Sequence, residues 1–362
     1  MRTQNTQNRN QKTRIQEEIL KVEDLQVHFP LTQGIILQKK VGSVKAVDGI
    51  SFSIGRGETL GLVGESGCGK TTTGLAIMQL VEATGGDIWF EGQAVQKLNR
   101  SERRALYQRM QMIFQDPYAS LNPRMTIGNI IADPIRVNSS MKSKARQARV
   151  SQLLESVELD PAMVNRYPHQ LSGGQRQRVG VARALALDAN FLVCDEPVSA
   201  LDVSVQAQIL NLMVDLQQSL DLTYLFISHD LAVMRHISSR IAVMYLGKIV
   251  EMSDVEILYS DPLHPYTRAL LASAHTPNPR VEKQRDFVVL EGDLPSPIAP
   301  PVGCNFNTRC PQAEEICFKV EPEVREVSEA RWVACHLVET DGCDQSTRTS
   351  SEIDAKGLHQ VH

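Results

Sequence analysis

Gly64-Glu65-Ser66-Gly67-Cys68-Gly69-Lys70-Thr71 satisfies the P-loop pattern G-x-x-x-x-G-K-[ST] at every defined position. Residues 58–63 before it read as a buried strand, and 72–80 after it, beginning at Thr72, as an amphipathic helix. That strand, loop, helix context separates the motif from a glycine-rich turn with a chance lysine. Glycines let the backbone curl with its N–H groups inward, and the following helix presents its positive end, so the loop can cradle the phosphates of a nucleotide. Lys70 is placed to reach the β and γ phosphates and the Thr71 hydroxyl to take one position on Mg²⁺. The motif predicts nucleotide binding without saying what the nucleotide is for.

Composition narrows the setting. A chain of 362 residues exceeds the usual single core, so two domains plus tails are expected. Its 42% hydrophobic residues can bury a substantial core. A net charge of −4 gives no broad basic field, which argues against nucleic acid as a partner. No apolar run approaches the roughly 18 residues that span a bilayer, and no signal-peptide core follows Met1, so a cytosolic chain is expected. Seven cysteines in a reducing compartment read as thiols or metal ligands rather than disulfides.

Residues 1–17 are Asn/Gln-rich and almost without apolar side chains, which predicts a disordered leader; a transit peptide is the alternative. Strands are expected over 19–29 and 45–54, joined by a turn-rich insert containing Gly34 and Gly42. Phe29, at the end of the first strand, offers a ring that could stack on adenine or simply pack in a core. After a strand over 85–90, another ends at Phe114, and Gln115 follows it ahead of a proline-broken loop. A glutamine there can offer its side-chain oxygen to Mg²⁺ or to a water while the loop moves.

Downstream, Leu171-Ser172-Gly173-Gly174-Gln175 precedes a helical stretch over 176–187, giving a second anion site at a helix N-terminus. One nucleotide does not need two γ-phosphate sites, so this loop is expected to cap a nucleotide held by another chain. The apolar strand 191–195 ends in Asp195, placed to hold Mg²⁺ through water, and Glu196, placed to polarise the attacking water. Ser199-Ala200-Leu201-Asp202 follows, then a helix over 205–220, and 224–227 reads as the last core strand. It is closed by Ser228-His229-Asp230, where His229 can donate to a γ-phosphate and fix Glu196.

Together these motifs resemble an ATP-binding cassette ATPase over about residues 20–270. The resemblance implies a Q-loop at Gln115, a signature at 171–175, a Walker B strand at 191–195, a catalytic Glu196, a D-loop ending at Asp202 and an H-loop at His229. The fold it implies is α/β: a mixed-sheet P-loop core, a helical subdomain over about 116–180 and an antiparallel β subdomain, all within 18–276. It puts Phe29 where such proteins place an adenine-stacking aromatic, and makes Ser172, Gly173, Gly174, Gln175 and Asp202 contacts to a nucleotide on the partner. About 100 residues separate Lys70 from Ser172, with no heptad run and only one cassette, unlike the DNA-repair and translation relatives. Residues 114–123, 263–267 and 294–297 further resemble the ATPases of oligopeptide and dipeptide importers, closest to the second, "F" type, subunit. That resemblance implies a second cassette ATPase, two membrane permeases and an external solute-binding protein, with this chain on the cytoplasmic face of the cell membrane. Nickel and sugar importers share the type, and a soluble ATPase or a redox-sensing nucleotide module are the readings from other classes.

Residues 277–338 form an extension in which Cys304, Cys310, Cys317 and Cys335 are spaced C-x5-C-x6-C-x17-C. Four thiolates can bind a [4Fe–4S] cluster or a tetrahedral zinc, or stay unmetallated. The spacing lacks a C-x2-C knuckle, and some members of the resembled family carry an iron–sulfur cluster here. His336 is a spare ligand. Residues 339–362 turn polar and predict a disordered tail.

Overall fold

The computed structural model describes residues 17–33, 39–273 and 294–339. The expected leader and most of the expected tail, with Gly34 and Cys343, lie outside the described residues. The strands are β1 (Glu18–Gln33), β2 (Lys39–Gly55), β3 (Thr59–Val63), β4 (Gly85–Phe90), β5 (Gln93–Ala94) and β6 (Met110–Ile113). They continue as β7 (Phe191–Asp195), β8 (Thr223–Ser228), β9 (Arg240–Tyr245), β10 (Lys248–Asp254), β11 (Arg325–Ser328) and β12 (Arg331–Val333).

Among the described residues these strands build two sheets. A four-stranded sheet has the order β2-β1-β4-β5, and an eight-stranded sheet the order β11-β12-β10-β9-β3-β8-β7-β6. The smaller one is antiparallel throughout. In the larger one β6, β7, β8, β3 and β9 run parallel to their neighbours, and β10, β12 and β11 are added antiparallel. Every residue of β3, β7 and β8 is buried. A parallel strand covered on both faces must be apolar along its length, which is why TLGLV, FLVCD and TYLFIS do not alternate.

One face of the large sheet packs on helices that include Val203–Leu220 and Gly173–Ala184 and then on the helices Ile127–Asn138 and Ser143–Ser156. The other face closes on the small sheet, where Leu20, Val22, Leu25 and Val27 of β1 meet Leu60 and Leu62 of β3. The helix Lys70–Ile77 sits in this second core with Ala76 and Ile77 buried. The P-loop therefore leaves the C-terminal end of a central strand, the position where open α/β sheets place their ligands.

Two expectations are corrected. The insert between the first two strands is largely strand: β1 and β2 pair as far as Gln33 and Lys39, with Gly42 opposite Leu31. The 224–227 strand is not the last of the core, because β9 and β10 follow it. The extension is joined to the main sheet, since β12 pairs with β10 at Glu251 and Met252. Among the described residues no helix is long and apolar enough to cross a membrane.

Candidate nucleotide site

The P-loop lines a cleft of about 610 Å³ together with Thr72, Gln115, Glu196, His229, Val44 and Ala46. Its backbone is one that side chains cannot follow. Gly69 has φ 109, and a Cβ there would stand 2.1 Å from the Ala46 carbonyl oxygen. Gly69→Ala is therefore expected to abolish binding of a fluorescent ATP analogue, since neither the backbone angle nor the β2 carbonyl can yield cheaply. Lys70 is buried and spans the loop, donating to the carbonyls of Gly64 at 2.7 Å and Glu65 at 3.0 Å. Its ammonium is thus held against the loop's own carbonyls, at the lip of the cleft that the loop lines. Cys68 packs inward at 1% exposure, and burial pushes its thiol up, so it is a packing residue rather than a nucleophile.

The carboxylates at the end of β7 divide by environment. Asp195 is buried and accepts from the Thr71 hydroxyl at 2.9 Å. Burial pushes its carboxyl above the ordinary aspartate range, and the Thr71 bond opposes that shift. A buried carboxylate paired with a hydroxyl is a donor set that fits Mg²⁺, with the Gln115 side chain across the cleft. Glu196 is held on both oxygens: Gln115 Nε2 donates to Oε2 at 2.9 Å, and His229 Nδ1 lies 3.0 Å from Oε1. Its backbone sits at φ 44, anchored by a 2.9 Å bond from its N–H to the Ile227 carbonyl. Gln115, Glu196 and His229, far apart in sequence, are thus brought together beside Lys70 and Thr71.

The signature residues are elsewhere. Ser172 caps the helix Gly173–Ala184, accepting from the Gln175 N–H while the Gln175 side chain accepts from the Ser172 N–H. Gly174 is pressed against Val205, which a Cβ would meet at 2.5 Å. Ser172, Gly173, Gly174 and Gln175 do not line the P-loop cleft of their own chain. Asp202 caps the helix Val203–Leu220, and its bonds from the Ser204 hydroxyl and the Val205 N–H hold its carboxyl below the ordinary range. Phe29 pairs across the sheet with Val44 and is 42% exposed. Val44 reaches the cleft wall and Phe29 does not, so the expected stacking ring stands one strand away from it.

The four extension cysteines are free and lie near enough that their charges disfavour one another. Burial pushes the Cys304 thiol up to about 11, and Cys317, Cys335 and Cys310 add to the shift. Among the described residues, no three or more His, Cys, Asp or Glu side chains stand at metal-holding spacing. As placed, Cys304, Cys310, Cys317 and Cys335 do not fit a [4Fe–4S] cluster, and His336 is turned to the Val320 carbonyl at 2.9 Å.

Sequence reasoning missed the support under the loop. The 263–267 stretch is a platform: the buried carboxylate of Glu251 accepts from the N–H groups of Leu263 and His264, and Tyr266 OH accepts from the Glu65 N–H at 2.9 Å. His264 is fully enclosed, and burial drives its pKa down to about 3, so it stays neutral. Leu270 and Pro297 complete the cleft, and the Lys45 N–H donates to the Pro297 carbonyl at 3.1 Å. Arg309, from the extension, grips the Glu65 carboxylate with two nitrogens at 2.8 and 3.1 Å. The signal available for Tyr266 was the LHPYT stretch; for Arg309 there was none.

A mixed sheet with a P-loop at the end of a central parallel strand, an acidic strand tip beside it and a glycine-rich capped helix outside it defines an ATPase of the ATP-binding-cassette class. The comparisons agree. Residues 47–199 match the family model "ABC transporter", and residues 250–317 match "Oligopeptide/dipeptide transporter, C-terminal region". The oligopeptide transport ATP-binding protein AppF of Bacillus subtilis is 52% identical over 323 residues, covering 89% of this chain and 98% of that protein. A probable peptide ABC transporter ATP-binding protein of Sinorhizobium fredii, y4tS, is 50% identical over 319 residues, covering 88% and 90%. Among solved structures, a dimeric post-hydrolysis state of the ATP-binding cassette MJ0796 bound to ADP and Pi matches with TM-score 0.58 at 25% identity, over 66% of this chain and 99% of that one. CbiO1 of Clostridium perfringens shares the fold with TM-score 0.59 at 24% identity, over 68% and 92%. The chain belongs to the family of ABC transporter ATP-binding proteins that carry the oligopeptide/dipeptide transporter C-terminal region.

Proposed function

We propose that this chain is the ATP-hydrolysing subunit of an importer of oligopeptides or dipeptides, working at the cytoplasmic face of the cell membrane. The ATPase part is carried by one observation: Glu196 is held between Gln115 and His229 in the cleft that also contains Lys70 and Thr71. The solute class is supported by the matched C-terminal region and by relatives named for oligopeptide transport.

In this reading the loop 64–71 and Thr72 hold the phosphates, with Lys70 compensating their charge. Thr71, Gln115 and Asp195 would hold Mg²⁺, which would supply positive charge to the phosphates. Glu196 accepts the proton of the attacking water, while Gln115 and His229 fix the direction of its carboxylate. Phe29 is proposed to reach adenine only by a shift of the β1–β2 hairpin. Ser172, Gly173, Gly174, Gln175 and Asp202 serve the nucleotide of a second cassette subunit, a reading supported by their lying outside their own chain's cleft. Two permeases and an external solute-binding protein complete the assembly, with 18–276 as the cassette and 277–338 as its extension. Purifying the tagged chain gently from membranes and identifying its companions by mass spectrometry tests this. Two permeases and a second cassette ATPase are the expected companions. Recovery only from the soluble fraction, alone or with nucleic-acid enzymes, would remove the transport reading and leave the ATPase.

A [4Fe–4S] cluster on Cys304, Cys310, Cys317 and Cys335 is the finer reading of the extension. It rests on the four cysteines that the sequence gathers in the extension, since as placed no three of them stand at metal-holding spacing. Iron and sulfide analysis of the full-length chain purified without oxygen decides it. Stoichiometric iron and sulfide are expected, and metal-free titratable thiols would overturn the cluster.

A further inference from the structure

We infer that Arg309, in the C-terminal extension, is a positioning residue of the nucleotide site. It neutralises the Glu65 carboxylate in the P-loop so that the loop accepts the charge of MgATP. The inference rests on the P-loop being the nucleotide site and adds a residue 244 positions away in sequence.

Glu65 is an awkward residue for its place. It follows the first glycine of a loop built to hold polyphosphate, and its fixed negative charge opposes that ligand. Two features answer it. Arg309 Nη1 and Nη2 bind the two Glu65 carboxylate oxygens at 2.8 and 3.1 Å, a fork-to-fork pair. The Arg309 side chain is only 6% exposed and that of Glu65 26%, so the pair is partly sheltered from solvent screening. Separately, the Glu65 N–H is bound by Tyr266 OH at 2.9 Å, and the Glu65 carbonyl accepts from Lys70 Nζ at 3.0 Å. Glu65 therefore ties three things together: the extension through its side chain, the 263–267 platform through its N–H and the phosphate-binding lysine through its carbonyl.

Arg309 is held for this task by its own surroundings. Its guanidinium lies over the Tyr245 ring, with the carbon 5.9 Å from the ring centroid, and Tyr245 packs against Tyr266 and Phe306. Phe306 and Arg309 belong to one turn of the extension, closed by the Arg309 N–H bond to the Phe306 carbonyl at 3.0 Å. A shift of that turn would move the charge that balances Glu65.

Two effects of losing Arg309 separate cleanly. If it only shapes the extension, its removal damages the chain whatever stands at position 65. If it compensates charge, removing the Glu65 charge as well restores the loop. The experiment measures binding of a fluorescent trinitrophenyl-ATP with Mg²⁺ to the full-length chain, with steady-state hydrolysis by the assembled complex alongside. Arg309→Ala is expected to weaken binding and raise KM by at least about tenfold, because a buried partner is removed from a charged group, while kcat stays within about threefold. Glu65→Gln with Arg309→Ala is expected to return binding to within about threefold of wild type. Should Arg309→Ala lose its cooperative melting transition, Arg309→Gln carries the same comparison. Unchanged binding in Arg309→Ala, or a double variant as defective as the single one, overturns the inference while leaving the ATPase reading intact. A wild-type chain that fails to bind the analogue removes both.

Discussion

Replacing Glu196 by Gln is expected to lower ATP turnover by about 10²-fold or more while nucleotide affinity stays near that of the wild type. The substitution keeps the side chain's size and place but removes the carboxylate that can take a proton from water. Geometry makes this a sharp test. Both Glu196 oxygens are already engaged, by Gln115 at 2.9 Å and by His229 at 3.0 Å, so the carboxylate direction is fixed before any substrate arrives. The amide of a glutamine can satisfy at most one of those two donors without rearrangement. Glu196 also sits at φ 44, a conformation that costs a β-carbon-bearing residue on the order of 1 kcal/mol. A strained backbone anchored to the Ile227 carbonyl, at the tip of a fully buried strand, is how a fold aims one side chain. The loop 64–71 and Lys70, which carry most of the phosphate contacts, are not bonded to Glu196, and a glutamine there still fills the same space beside Gln115 and His229, which is why binding is expected to survive. The measurement is phosphate release at saturating ATP in the assembled complex, beside binding of a fluorescent ATP analogue. Near-normal turnover would remove Glu196 from its role.

What could be read in the sequence follows from how local each constraint is. The P-loop was legible because its backbone angles and close approaches are met only by glycine, so the geometry is written into consecutive letters. Strands β3, β7 and β8 were legible because burial on both faces demands uninterrupted apolar runs. The β9–β10 hairpin was overlooked, although IAVMY and KIVEM flank the Leu246-Gly247 turn in plain view, and with it went the antiparallel edge to which the extension attaches. The Glu65–Arg309 pair could not have been read at all. Nothing near Arg309 marks it as a partner of a loop on the far side of the chain, and an arginine beside a cysteine suggests the cysteine's chemistry instead. Phe29 is the opposite case: its place at the strand is legible, but in a two-residue alternation the reach of its ring toward the cleft depends on hairpin placement that the letters do not encode.

Changing Ser172 to Arg is expected to abolish hydrolysis at the P-loop of the partnering subunit while the altered chain binds ATP at its own P-loop as before. Ser172 is exposed, so an arginine there meets open solvent in the isolated chain and no packing is displaced. The change does remove the hydroxyl that accepts from the Gln175 N–H, and losing such a cap costs about 1 kcal/mol of local helix stability. The rest of the Gly173–Ala184 helix is fixed by Gly174 against Val205 and by buried Val179, Val181 and Ala182, so the loop keeps its position. Across a dimer interface the same arginine would occupy the space that a γ-phosphate needs against the helix N-terminus. Moving an open-to-closed equilibrium from 1:99 to 99:1 requires the nucleotide to favour the closed dimer by about 5.5 kcal/mol, a sum that tolerates no blocked contact. The two arms are nucleotide affinity of the altered chain and turnover of the complex that contains it. Lost turnover with retained affinity places Ser172 on a neighbour's nucleotide. Lost affinity in the altered chain itself would instead mean that the loop serves its own P-loop, and the two-chain arrangement would have to be abandoned.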